Sequence, residues 1–76
     1  MIYPIVMKDA KAVKRVNEIA TRAEIDMHIS CGTMSIDPRS LLGLFAFMGK
    51  DALLVAPDNA DPEYFTYLVK KMSVSA

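Results

Sequence analysis

Seventy-six residues allow one small domain, and a single cysteine, Cys31, excludes an internal disulfide. That cysteine and the one histidine, His28, fall short of a structural zinc site, so no metal is expected. Nine basic and nine acidic residues balance, without the basic surplus of a dedicated nucleic-acid binder, so no nucleic-acid partner is expected.

The core must then hold by packing alone or with help from a partner subunit. An apolar fraction of 53% and six methionines suit a small, adaptable core. The lone free cysteine fits a reducing compartment, and a cytoplasmic location is expected. Met1–Met7 is apolar but has no basic region before it and no cleavage signal. The longest apolar run, Leu41–Met48, is far short of the roughly 20 residues that span a bilayer, so no membrane role is expected.

In chain order, Met1–Met7 reads as a strand, with Ile, Tyr, Ile and Val ended by Lys8–Asp9. Pro4 cannot donate a ladder bond, which favours an edge position. Ala10–Ala23 reads as a helix: Val13, Val16, Ala20 and Ala23 recur at spacings of three and four, and Asp9 is placed to cap it. Ile25–Cys31 alternates, with Ile25, Met27, Ile29 and Cys31 on one side and Asp26, His28 and Ser30 on the other. Gly32 supplies a turn, and Thr33–Ile36 returns as a short strand. Asp37–Pro38–Arg39–Ser40 is a helix start, with an acidic or hydroxyl cap and a proline near the first turn. Leu41–Met48 follows as a short helix, apolar nearly all round, ended by Gly49. Ala52–Pro57 reads as an inner strand. Asp61–Pro62–Glu63 opens a last helix with the stripe Phe65, Leu68, Val69 and Met72, and with Lys70 and Lys71 at its negative end.

The order βαββαβα predicts an α+β fold: an open-faced β-sandwich of four antiparallel strands with three helices on one face, a single domain over residues 1–76. No Ser-His-Asp set, paired catalytic acids or glycine-rich phosphate loop is present, so neither an enzyme nor a cofactor is expected.

This order, at this length, resembles the histidine-containing phosphocarrier protein HPr of the sugar phosphotransferase system. The strongest local likeness is Arg39-Ser40-Leu41-Leu42-Gly43-Leu44-Phe45-Ala46-Phe47, which is similar to the segment opening the second helix of that family. Val13, Val16, Ala20 and Met27 fall on family core positions, and the likeness covers nearly the whole chain, with a short deletion before Gly49-Lys50. The first helix departs from the family. Its motif of Gly, a variable residue, His, Ala, Arg and Pro is matched here by Met7-Lys8-Asp9-Ala10-Lys11-Ala12. Asp9 stands where the phosphorylated histidine would be, Lys11 where the arginine would be, and only Ala10 survives. His28 lies on a strand and cannot take over.

Two readings of Asp9 follow: a helix cap, or a carboxylate accepting a phosphoryl group in place of histidine. For Ser40, the resemblance implies a regulatory phosphosite whose product acts as a corepressor of carbon-catabolite regulators; the plain reading is an unmodified cap. Arg39 beside it could pair with the added charge. The resemblance also implies a partner-binding surface of Leu41, Leu42, Phe45 and Lys11, for phosphotransferase-system proteins or a transcriptional regulator, with the Asp9 and Ser40 helix starts close together. One side of a short helix suffices for its own sheet, so some of Leu41, Leu42, Leu44, Phe45, Phe47 and Met48 must be exposed or covered by another chain, and a homodimer is one way to cover them. Lys8, Lys11, Lys14 and Arg15 read as a solvated helix face, His28 as a surface residue, and Cys31 as a small buried hydrophobe.

Overall fold

The computed structural model describes residues 1–76. The elements are β1 (Ile2–Val6), α1 (Ala10–Arg22), β2 (His28–Cys31), β3 (Met34–Ile36), α2 (Leu41–Ala46), β4 (Asp51–Val55) and α3 (Pro62–Met72). The strands form one antiparallel sheet in the order β1-β4-β2-β3, so β4 is the inner strand expected of its apolar run.

One face of the sheet carries the core. Ile5, Ile29 and Leu54 are fully buried there against Val13 and Val16 of α1, Leu44 of α2 and Met72 of α3. α1 packs against both α2 and α3 and so lies in the middle of the helix layer. The opposite face is open, and Ile2, Pro4, Leu53, Val55, His28 and Ser30 lie along it.

Local signals explain the element ends. Only Gly32 of the two-residue β2–β3 turn has positive φ, as a type II′ turn demands. α3 opens with Asp61 accepting from Glu63 N and with Pro62 at the first position, and it ends on Ser73 in the left-handed region. The elements are shorter than the patterns suggest. The alternation Ile25–Cys31 becomes ladder only from His28, although Met27 and Ile29 are both buried as their parity predicts. Thr33 belongs to the turn, and Phe47 and Met48 follow α2 as turn rather than helix.

Pro4 lies on β1, which has no strand on its outer side. Residues 74–76 cover that edge, with Val6 N donating to Val74 O at 2.8 Å and Ala76 N to Pro4 O at 3.2 Å. No helix is long and apolar enough to cross a membrane.

Candidate functional site

The second helix is built around its cap. Ser40 has extended backbone, and its hydroxyl accepts from Gly43 N at 3.3 Å. Serine, not the earlier aspartate, is thus the cap, and Pro38 lies buried before the helix rather than in its first turn. Asp37 instead holds Arg39. Its carboxylate accepts from Arg39 Nη2 at 2.7 Å, Arg39 Nε at 3.0 Å and the Arg39 amide at 2.9 Å. The side-chain bonds foremost, then the backbone amide, hold the Asp37 carboxyl at about 2 against an ordinary 3.8, and the same carboxylate raises the Arg39 pKa. Arg39 is therefore already engaged and would have to be shared with any charge placed on Ser40.

The helix divides its apolar side chains as a short helix must. Leu44 and Phe47 are buried, Phe45 is half-buried, and Leu42 is 85% exposed, with Leu41 and Met48 exposed beside it. The exposed apolar side chains of this segment are Leu41, Leu42 and Met48, while Phe45 packs in part against the core.

Asp9 is the N-cap of α1. Its Oδ1 accepts from Ala12 N at 2.9 Å, and its carbonyl accepts from Val13 N at 3.1 Å. Lys8 and Lys11 are exposed, and the two ion pairs of the chain, Met1–Asp58 and Arg39–Asp37, include neither lysine nor Asp9. No group of three or more His, Cys, Asp or Glu side chains gathers as a metal site would require.

The expected closeness of the Asp9 and Ser40 helix starts is not what the fold produces. Gly49 N donates to Met7 O at 2.7 Å, which sets the end of α2 beside the start of α1. Asn17 Nδ2 donates to Arg39 O at 3.0 Å and to Pro38 O at 3.3 Å, which sets the start of α2 against the middle of α1. The two helices run in opposite directions. Eight residues of helix separate Asp9 from Asn17, about 12 Å along the axis. It is the turn that ends α2, through Gly49, that lies beside the chain entering α1.

Two further expectations change. Arg15 is not simply solvated: it is half-buried, and its Nε donates to Met72 O at 2.7 Å, tying α1 to the end of α3. Cys31 is half-buried at the end of β2 rather than buried. Asn17 is a positioning residue that the sequence pattern does not single out; its place beside the Val13–Val16–Ala20 stripe is the only local signal of it. His28 is exposed on the open face, as expected of its parity.

These features define a class: an open-faced β-sandwich of HPr-like fold, whose second helix presents an uncovered apolar face. Neither a family model nor a curated protein matches the sequence. Solved structures do match the fold. One is HPr-C-His from Thermoanaerobacter tengcongensis, with a TM-score of 0.72 at 15% identity, covering 100% of this chain and 99% of that one. Another is the phosphocarrier protein HPr from Bacillus anthracis str. Ames, with a TM-score of 0.70 at 13% identity, covering 93% and 94%.

Proposed function

We propose that this protein is a binding module related to the phosphoenolpyruvate-dependent sugar phosphotransferase system. It docks partner proteins through α2 and does not carry phosphoryl groups. The observation that supports this reading most is Leu42, 85% exposed on a helix, Leu41–Ala46, that carries no polar side chain. An exposed apolar cluster of this kind, Leu41, Leu42 and Met48 with Phe45 half-buried beside them, fits a protein-docking surface, and the exposed Lys11 on α1 is taken as part of it. The partner class is a phosphotransferase-system protein or a transcriptional regulator. Phosphorylation of Ser40 is the switch of this surface: the hydroxyl is exposed at the head of the same helix, and its phosphate would compete with Asp37 for Arg39.

Asp9 as phosphoryl acceptor is the second reading. The capping bond to Ala12 N favours a structural role for its carboxylate instead.

The test is a titration of isotope-labelled protein with the general phosphotransferase enzyme and, separately, with a carbon-catabolite regulator. Amide shifts should centre on residues 41–48, and Leu42→Ser with Phe45→Ser should remove them. Binding unchanged by that double variant would dispose of α2 as the docking surface. A mass gain of one phosphate on Asp9 after incubation with enzyme and phosphoenolpyruvate would restore the carrier reading.

A further inference from the structure

A second surface lies on the other side of α1. A groove of about 440 Å³ runs between α1 and α3, away from α2. The two helices are antiparallel here: Arg15 Nε reaches Met72 O at 2.7 Å at one end, and the Tyr64 hydroxyl accepts from Glu24 N at 3.1 Å at the other. Ile19 and Leu68 form the apolar floor. Tyr64 and Tyr67 are stacked along the α3 wall with ring centroids 6.4 Å apart, and Tyr67 is 53% exposed.

The groove is electrically unbalanced in a chain whose net charge is zero. Arg15, Arg22 and Lys71 line it against one carboxylate, Glu18, and none of the four is in an ion pair. Lys71 Nζ lies 5.3 Å from the centre of the Tyr67 ring, and Arg15 spends only its Nε on Met72. Arginine and tyrosine around an apolar floor are the side chains that dominate protein interfaces.

Spacing points to the occupant. Arg15 and Arg22 are seven residues apart on one helix, about 10 Å along its axis. A helix laid along the groove presents its own positions i and i+7 at the same interval, with i+3 and i+4 between them facing the floor. Glu18 stands between the arginines and repels a carboxylate at the centre. We propose that the α1–α3 groove docks an amphipathic helix of a partner protein that carries acidic residues two turns apart with apolar residues between them. A second copy of this chain does not supply such a helix. α1 has Glu18 as its one acid, α3 has Glu63, and α2 has none.

The inference concerns a different surface from α2 and stands or falls independently of it. The probe is a synthetic helical peptide with Glu at i and i+7 and Leu at i+3 and i+4, titrated into isotope-labelled protein. Saturable amide shifts are expected in residues 15–22 and 64–71, weakening as salt is raised. Arg22→Glu with Lys71→Glu should weaken binding at least about tenfold. Both side chains are exposed and make no hydrogen bond, so the fold should survive the exchange. Leu42→Ser should leave this binding unchanged. The proposal fails if no saturable shifts occur, if a peptide with Lys in place of Glu binds equally, or if the shifts fall on α2. It also fails if adenosine monophosphate reproduces the shifts while the peptide does not, an outcome that would make the groove a small-anion pocket.

Discussion

The amide of Gly49 donates to the carbonyl of Met7 at 2.7 Å, and this bond joins the end of α2 to the chain just before α1. It sets the turn after α2 beside the chain leading to the Asp9 cap, while Asn17, two turns further along α1, holds the chain just before Ser40. In this arrangement a partner covering the end of α2 would also meet the chain entering α1. A partner reading Ser40 would meet Asn17 and Arg39 instead.

Gly49 holds that position with φ of +78°, and nothing lies within 4 Å of where a Cβ would sit. The cost of Gly49→Ala is therefore backbone strain alone, about 1–2 kcal/mol by chemical denaturation. Gly49→Asn should cost less, since asparagine visits the left-handed region more readily. Equal losses for the two would mean that the left-handed backbone conformation is not the source of the cost.

Leu42 and Leu44 separate surface from core within three residues. Leu44→Ala should cost about 2–5 kcal/mol, because Leu44 is fully buried. Leu42→Ser should change stability by no more than about 0.5 kcal/mol. A large loss at Leu42 would show that its face is covered within the folded chain and is not available to a partner.

Asp9 offers a test of cap against carrier. Asp9→Ala removes the acceptor for Ala12 N and should cost about 1 kcal/mol. Asp9→Asn keeps an acceptor and should retain most of the stability. If Asn were as damaging as Ala, the carboxylate charge rather than the capping bond would be the reason for aspartate here.

Asp37 should titrate far below an ordinary carboxyl. Arg39 binds its ionised form, so the folded-state pKa is depressed from 3.8 to about 2. What the pair contributes is present above the ordinary value and is lost as pH falls through the depressed one. Carboxyl-carbon resonances should give a midpoint near 2 in the parent protein and one moved up toward 3.8 in Arg39→Ala. An unchanged midpoint in that variant would remove Arg39 as the cause. Both side chains are solvent-exposed, so the pair orders the segment before Ser40 rather than adding to global stability.

The element order was legible because periodicity, caps and turn residues agree along the chain. Val13, Val16 and Ala20 mark one helix, Ile29 and Cys31 alternate with His28 and Ser30, and Asp61-Pro62 opens another helix. Local pattern does not report which elements neighbour each other, and the misses lie there. Asn17 reads as one polar residue among several on α1, yet it holds the chain before α2. Arg15 reads as one more basic residue, yet it binds the last carbonyl of α3. Leu53 and Val55 sit in a continuous apolar run that hides which of them face the core; pairing with Pro4 and Ile2 places them on the open face. The direction of α2 against α1 is likewise a tertiary property, and only hydrogen bonds between distant residues define it.

The outer edge of β1 yields the last prediction. An open strand edge is a template for pairing with another chain. Here Val74 is buried at 3% exposure, Val6 N donates to Val74 O, and the hydroxyls of Tyr3 and Ser75 lie 2.9 Å apart. Pro4 has no N–H to offer, so on this edge it contributes only the carbonyl that accepts from Ala76. Removing residues 74–76 should uncover a donor at Val6 and delete one buried valine side chain, with a loss of about 2 kcal/mol. Hydrogen exchange at Val6 should accelerate while the β4 amides between β1 and β2 stay protected, because β4 keeps both of its ladders. The truncated chain should also self-associate more readily at high concentration through the bared edge. If Val6 exchanged as slowly without those residues as with them, the pairing with Val74 would not be what protects this edge.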